Sequence, residues 1–289
     1  MPNFLSVIRD IMRQLPDIEL ITWKCANYRW PDCPIDQNML RFNFGSKAEV
    51  RNSGEELKAV FEELRNILAP PSLYHSLTKR SVIARIKENY GEYRLGIVPD
   101  LGSGLLNLAF TKQYVSCPLP LTIMGFSKKS TGTSFKGGGL FSAPAQEFRR
   151  LSKLAELEQK YLPEIEDYHQ NVGQWRLLLE WQDYFASKGL QLSFNNPLML
   201  KYCIDHLYGL PMDSREKSAA TLLAYAEKQG ADMPSYTARA KFAMAQTSLT
   251  VPGFRKVSED HVSVSVNLSA TPIKSTSAVA GLIRGFYTS

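Results

Sequence analysis

The sequence predicts an α/β fold in which a sheet with flanking helices is followed by a mainly helical C-terminal region. Strand and helix patterns alternate up to about residue 126, which is typical of a layered α/β sheet. Beyond the glycines at 137–139, apolar residues recur mainly at helical spacing. We therefore predict an α/β region over residues 1–140 and a helical region with a late strand over residues 145–289.

The elements of the first region follow from local patterns. Apolar residues at helical spacing predict helices over 4–15, 53–68 and 81–90. Ser53 and Glu56 form a capping box at the start of the second of these helices. β-branched, aromatic or alternating residues predict strands over 19–30, 39–44, 93–98 and 119–126.

The second region reads as a series of amphipathic helices. Five apolar stripes at helical spacing begin near Phe148, Val172, Leu198, Ser214 and Tyr236. Residues 262–268 then alternate between apolar and polar side chains, which predicts a late strand. We expect these apolar stripes to form core.

Composition narrows the classes of function. Hydrophobic residues make up 44% and charged residues 21% of the 289 residues, an ordinary globular balance. The net charge of +6 favours acidic partners, but the basic residues are scattered among 28 acids. This pattern favours a phosphate-bearing ligand or a lipid headgroup surface over nucleic acid. Scattered surface lysines explain the charge equally well.

Cysteine usage and hydropathy predict a cytoplasmic protein. The four cysteines have no CxxC spacing, which indicates reduced thiols. The chain opens on an amphipathic helix with no signal peptide pattern. No stretch of about 18 apolar residues is present to span a membrane.

Asp100 is the leading candidate for chemistry. It follows a predicted strand and precedes apolar residues at helical spacing, which places it at a helix N-cap. One interpretation is structural, since an N-cap Asp accepts hydrogen bonds from backbone N–H groups. The other is catalytic, because a carboxylate at a strand end, backed by small residues 102–104, can take a proton from a substrate.

Two further stretches carry candidate binding residues. The polar, basic loop after residue 126 contains Ser127, Lys128, Ser130, Thr131 and Gly132. It either binds an anionic or polyhydroxyl ligand or forms a solvated linker. A second strand end carries two more candidates, Trp30 and Asp32, and the alternative for Asp32 is a turn residue.

Common catalytic motifs are missing from the sequence. It contains no Gly-x-Ser-x-Gly, HExxH or GxGxxG motif, which removes the common hydrolase and dinucleotide-binding interpretations. The four histidines are far apart and have no partners at metal-ligand spacing. A zinc site is therefore not expected.

Three stretches together resemble the acceptor half of a family 2 glycosyltransferase of the GT-A fold. They are residues 20–32, 98–103 and 120–134, and the resemblance covers about residues 1–140. It implies a partial GT-A-like, Rossmann-related sheet and inverting transfer from a nucleotide-sugar donor to a glycan or lipid-linked acceptor. It also implies that Asp100 is the general base and that residues 30–32 and 127–134 lie at the substrate.

The chain departs from the family pattern in its first half. Family members begin with an apolar strand and a nucleotide-binding half that ends in an Asp-x-Asp motif, which holds Mg²⁺ or Mn²⁺ on the diphosphate. Neither feature occurs in this sequence. The sequence therefore predicts an N-terminally truncated form or an isolated acceptor half, inactive alone and peripheral at most to the inner membrane face.

Two other classes of function compete with this prediction. The first is a non-catalytic interaction module derived from a glycosyltransferase, in which the sheet survives as a partner-binding surface. The second is a nucleic-acid-binding protein, which we rank last because the basic residues do not cluster with aromatic ones.

Overall fold

The structure, a computed structural model, describes residues 4–33, 36–45, 47–67, 70–91, 93, 98–130, 143–151, 154–165, 170–210, 212–246, 253–258, 261–269 and 275–288. The chain divides into two compact units. The first comprises residues 1–57, 67–128 and 250–289, and the second residues 58–66 and 129–249. The predicted division at residue 140 placed 250–289 with the helices, whereas the strands of this segment join the sheet of the first unit.

The α/β class predicted from the sequence is confirmed. The helices of the first unit are α1 Phe4–Gln14, α3 Arg80–Tyr90, α4 Pro99–Phe110 and, in the last part of the chain, α11 Thr276–Thr288. Helix α2 Ser53–Glu62 begins in the first unit, and its residues from Lys58 onward belong to the second. The strands are β1 Leu20–Arg29, β2 Met39–Gly45, β3 Glu49–Asn52, β4 Ser76–Thr78, β5 Gln113–Phe126, β6 Gly253–Ser258 and β7 His261–Asn267. The second unit contains α5 Ala143–Leu151, α6 Leu154–Lys160, α7 Gln170–Ser187, α8 Asn196–Asp205, α9 Met212–Lys228 and α10 Met233–Ala245.

The first unit is built on a mixed seven-stranded sheet. Its strand order is β3-β5-β1-β2-β7-β6, with the short β4 paired to the first part of β1. Strands β1 and β5 run parallel, and the other pairs are antiparallel. The late strand β7 pairs along the whole of β2, from Met39 opposite Asn267 to Gly45 opposite His261.

An irregularity divides the parallel pair into two parts. Trp23 lies opposite Cys117, but Cys25 lies opposite Thr122, so β5 uses three more residues than β1 over this span. Residues 118 and 120 of β5 are prolines, which have no N–H to donate to a strand ladder. The register shift follows from these missing donors.

Apolar clusters cover the two faces of the sheet. On one face α1 packs over a cluster of buried residues: Ile8, Ile18, Ile21, Trp23, Val115, Cys117 and Leu121. On the other, α11 packs over Ala26, Tyr28, Leu40, Phe42, Val264, Leu268, Val279 and Ile283. The first cluster contains Ile21 and Trp23 of β1, and the second contains Ala26 and Tyr28. Odd- and even-numbered residues point to opposite faces because side chains alternate along a strand.

Some helix ends differ from the prediction. The α2 N-terminus is capped by Asn52, whose Oδ1 accepts the Glu55 N–H at 3.1 Å, while the Ser53 hydroxyl instead bonds Thr111 Oγ1 at 2.9 Å. Helix α2 ends at Glu62 rather than near residue 68, because Leu64 and Asn66 have φ of 55° and 54°. These left-handed conformations cannot continue a helix.

The second unit is helical over its described residues, as the apolar stripes predict. Arg176 is buried on α7, and its guanidinium donates to the carbonyls of Tyr161, Leu162 and Ile165. Phe61, at the end of α2, packs edge-to-face on Phe185. Among the described helices of both units, none has the length and hydropathy that a membrane crossing requires.

Candidate functional site

Asp100 lies in the first turn of α4, two positions beyond the N-cap, whereas the sequence predicted it to be the N-cap itself. The N-cap is Val98 and Pro99 is the first helical residue, a favoured position for proline because its missing N–H needs no partner there. Asp100 Oδ1 accepts the Leu101 N–H at 3.1 Å, and the side chain is half-exposed. Its charge is stabilised by the positive end of the helix dipole.

The small residues after Asp100 hold a neighbouring segment, residues 70–75. Ser103 Oγ accepts the Leu73 N–H at 3.1 Å, and Asn107 Nδ2 donates to the Pro71 carbonyl at 2.7 Å. Gly104 leaves room for Pro70, since a Cβ there would lie 2.5 Å from Pro70 Cγ. The glycine and serine that the sequence suggested as the back of a cleft therefore dock this segment against α4.

The docked segment delivers His75 to the sheet. The His75 carbonyl accepts the Trp23 N–H at 3.1 Å and the Thr22 hydroxyl at 2.8 Å, directly before β4 begins. The His75 side chain reaches across β1, and its Nδ1 lies 2.9 Å from Thr122 Oγ1 on β5. Trp23 Nε1 donates to the same oxygen at 3.1 Å. We call Trp23, His75 and Thr122 the Thr122 cluster.

The charge of Asp100 acts on His75. Burial lowers the pKa of His75 below its usual value, and the negative charge of Asp100 acts in the opposite direction. His75 is therefore mainly neutral at pH 7. Within the described residues, no protein group bonds His75 Nε2 or the second carboxylate oxygen of Asp100.

His75 was not identified as a site residue from the sequence. The histidines have no partners at metal-ligand spacing, and the partner of His75 is a threonine 47 residues further along the chain. No local pattern indicates such a pair, because the docking of residues 70–75 on α4 creates it.

The structure brings four of the predicted binding residues to one edge of the sheet. Arg29, the last residue of β1, lies opposite Phe126, the last residue of β5. Trp30 and Asp32 follow the first strand, and Ser127 and Lys128 follow the second. The Trp30 N–H donates to the Phe126 carbonyl at 2.8 Å, which ties the two strand ends together.

These four residues have different surroundings. The Trp30 ring packs against Tyr28 with ring centroids 4.8 Å apart and lies over Gly125, so packing accounts for it without a ligand. Asp32 is exposed in a turn, as the alternative interpretation expected. Ser127 is half-exposed and Lys128 exposed.

The remaining predicted binding residues are Ser130, Thr131 and Gly132. Ser130 is half-exposed and belongs to the second unit. Thr131 and Gly132 lie outside the described residues.

The Thr122 cluster and the strand ends lie at different positions along β5. Thr122 precedes Phe126 by four residues, which is about 13 Å along an extended strand. The Asp100 side chain acts on His75 at the Thr122 level.

A charged cluster lies beside the end of β1. Asp36 pairs with Arg29 at 3.1 Å and also with Arg41 on β2, so one carboxylate faces two guanidinium groups. Asp36 has a φ of 50°, a left-handed turn conformation that Asp tolerates better than most residues. Burial and the neighbouring charge of Arg41 lower the pKa of Arg29. The cluster could not be identified from the sequence, because its three residues are separated along the chain and the turn at Asp36 brings them together.

The described residues do not fit the metal that the family resemblance implies. In the described ranges, no three His, Cys, Asp or Glu side chains come together to hold a metal ion.

A cleft of about 550 Å³ lies at the C-terminal end of α4, where Arg85 donates to Glu19 at 2.7 Å and to the Phe110 carbonyl at 2.9 Å. These contacts hold the end of α4 and give the arginine a structural role.

Comparison with known proteins gives no independent assignment. No protein family model matches the chain, and no curated protein and no solved structure matches it.

Proposed function

We propose that this chain is the acceptor-binding part of an inverting, nucleotide-sugar-dependent glycosyltransferase of polysaccharide or glycoconjugate biosynthesis. The observation that carries the proposal is the half-exposed Asp100 carboxylate in the first turn of α4, whose second oxygen has no protein partner among the described residues. The resemblance of residues 20–32, 98–103 and 120–134 to the family supports it. A GT-A-like, Rossmann-related origin of the sheet is part of the same proposal.

Asp100 acts as the general base in this reaction. Its second oxygen takes the proton from an acceptor hydroxyl while the hydroxyl oxygen attacks the anomeric carbon of the donor sugar. The new C–O bond forms as the bond to the nucleoside diphosphate breaks, and attack from the opposite face inverts the anomeric centre. A base has to lie within hydrogen-bond reach of the proton it removes, and the exposure of Asp100 permits this.

The other predicted binding residues have supporting roles. Ser127 and Lys128 contact donor phosphate or acceptor hydroxyls at the strand ends. The sequence has no Asp-x-Asp motif, so we expect this chain alone to bind an acceptor without turning over the donor. A lipid-diphosphate-linked acceptor at a membrane face suits the net charge of +6.

Saccharide binding by the purified chain is the first test. Saturation-transfer NMR against a panel of uncharged mono- and disaccharides should detect weak binding by the wild type. We expect Asp100→Asn to weaken this binding about tenfold, the loss typical of a charge-assisted hydrogen bond. Asp10→Asn on the exposed surface of α1 is the matched control and should bind normally. Equal binding by Asp100→Asn would remove Asp100 from the site.

Transfer itself is the second test. The DNA in frame before the Met1 codon is read for an apolar strand and an Asp-x-Asp motif, and any such longer chain is expressed. That longer chain should transfer sugar from a labelled nucleotide-sugar, and its Asp100→Asn variant should bind the donor but lose transfer. Retained transfer in the variant would refute the general-base role.

The exposed surface of α1 favours a second candidate, the non-catalytic interaction module. Leu5 is 60% exposed and Met12 41% exposed, although the apolar pattern of the sequence placed both on the buried face. Exposed large apolar side chains on one helix are a feature of partner-binding surfaces. A cellular function that survives Asp100→Asn but is lost in Leu5→Ser would favour this candidate.

A further inference from the structure

The Thr122 hydroxyl has two partners with different hydrogen-bonding abilities. The indole Nε1 of Trp23 can only donate a hydrogen bond, and it does so to Thr122 Oγ1 at 3.1 Å. His75 Nδ1, at 2.9 Å from the same oxygen, can either donate or accept. The direction of this second bond decides which nitrogen of the imidazole carries the proton.

The hydroxyl proton of Thr122 favours one direction. A threonine hydroxyl has one proton to donate, and His75 Nδ1 is the protein atom within the described part of the chain that can accept it. If Nδ1 carried the proton instead, the hydroxyl would receive two hydrogen bonds and its own proton would have no protein acceptor there. This arrangement favours the neutral tautomer of His75 that holds its proton on Nε2.

This tautomer gives the site a hydrogen-bond donor. The Nε2–H group of His75 has no protein partner among the described residues. Such a donor matches a ligand hydroxyl group, whose oxygen accepts the hydrogen bond.

We infer that the Thr122 cluster positions His75 as a neutral Nε2–H donor, and that this N–H group binds a hydroxyl group of the ligand. Trp23 and Thr122 are positioning residues in this arrangement, whereas His75 contacts the ligand. The inference rests on the proposed function and extends it by naming the second group that recognises the sugar.

The contacts of the His75 side chain go beyond what the anchoring of residues 70–75 to β1 requires. Trp23 is 8% exposed and packs edge-to-face on Phe4, with ring centroids 5.0 Å apart. Its indole N–H is fully served by the Thr122 hydroxyl, and the His75 backbone already joins the segment to β1 through two bonds. The backbone bonds therefore fasten residues 70–75 to β1 without help from the His75 imidazole.

The charges around His75 are simple. Asp100, on α4, supplies the charge that acts on His75. The facing groups from β1 and β5 are Trp23 and Thr122, which are neutral. Removal of the Asp100 charge should therefore lower the pKa of His75 further.

The test reads the imidazole directly by ¹⁵N NMR on the full chain at pH 8, where the two neutral tautomers have well-separated nitrogen shifts. We expect the Nε2–H tautomer in the wild type and in Thr122→Ser, which keeps the hydroxyl. Thr122→Val should shift the population toward Nδ1–H, and Asp100→Asn should lower the His75 pKa. A wild-type Nδ1–H tautomer would overturn the inference, whatever the variants do.

Ligand binding provides the second part of the test. Addition of a methyl glycoside should shift the His75 Nε2 resonance, and a deoxy analogue that lacks the bound hydroxyl group should not. Saccharide binding that depends on Asp100 but leaves His75 Nε2 unmoved would overturn the inference while the proposed function stands. No saccharide binding of any kind would overturn both.

Discussion

Replacement of Gly104 by alanine should loosen the segment that carries His75. The glycine lies inside α4, and an added Cβ would meet Pro70 Cγ at 2.5 Å, Pro70 Cβ at 2.6 Å and the Pro70 backbone carbon at 3.2 Å. Because the nearest atoms belong to a rigid ring and its backbone, a side-chain rotation cannot relieve the contact. Residues 70–75 have to move away from α4.

The energetic cost follows from three terms. Overpacking of this kind costs about 1–3 kcal/mol, and weakening of the Leu73–Ser103 and Asn107–Pro71 hydrogen bonds adds about 1 kcal/mol or slightly more. The higher helix propensity of alanine returns about 1 kcal/mol. We expect a net loss of about 2 kcal/mol in the free energy of unfolding of the first unit.

Urea unfolding and hydrogen exchange measure this effect. The midpoint for the first unit should fall by about 1 M urea, and the Leu73 amide should exchange faster. Gly281→Ala is the matched control, because Gly281 also lies in a helix of the first unit but has no atom within 4 Å of the added Cβ. We expect that variant to be stabilised by about 0.5–1 kcal/mol. If Gly104→Ala behaves like this control, the packing argument is refuted.

Three further predictions concern charged and titrating groups. The Arg85 hydrogen bonds lower the pKa of Glu19. The pair therefore stabilises the folded chain above the ordinary pKa of Glu, and this stability is lost as pH falls. In urea titrations, Glu19→Gln should lower the free energy of unfolding by about 0.5 kcal/mol at pH 7 and leave it unchanged at pH 2. Burial makes the pKa of His75 lower in the folded chain than in the unfolded chain. As pH falls, the unfolded chain therefore binds a proton at His75 before the folded chain does. Stability should therefore fall below pH 6.5, and His75→Gln should flatten the curve between pH 7 and 5. Asp36→Asn leaves two half-buried guanidinium groups without their shared carboxylate and should lower the free energy of unfolding by about 1–2 kcal/mol; an unchanged urea midpoint would show that solvent screens both arginines.

The elements that the sequence predicts well are those set by local patterns. Strands β1 and β2 and helix α3 appear at nearly the predicted positions, because their alternation, their helical spacing and the C-terminal Gly91 are local signals. Helix α3 ends as expected, since Gly91 adopts a φ of 81° that suits glycine. Of the predicted strand over 93–98, residues 94–97 lie outside the described residues.

The parts that could not be predicted depend on tertiary contacts. Asn52 and Ser53 are both good N-cap residues, and the choice between them is made by Thr111, which engages the serine hydroxyl. The return of β7 to the edge of β2 requires knowledge of which strand lacks a neighbour. Residue type alone cannot supply that information.

The candidate site shows the same division. Asp100 was identifiable because a proline and an acidic residue precede an apolar helical stripe. Its partner His75 was not identifiable, since the contact with Thr122 depends on the docking of residues 70–75 through Ser103 and Asn107.

The three extra residues that β5 uses beside the middle of β1 make this stretch intolerant of length changes. Because side chains alternate across a strand, an odd number of extra residues reverses the facing of everything that follows. Loss or gain of a single residue between Cys117 and Thr122 would turn the threonine hydroxyl toward the opposite layer while the strand still formed. Natural variants and engineered libraries should therefore accept substitutions in this stretch far more readily than insertions or deletions.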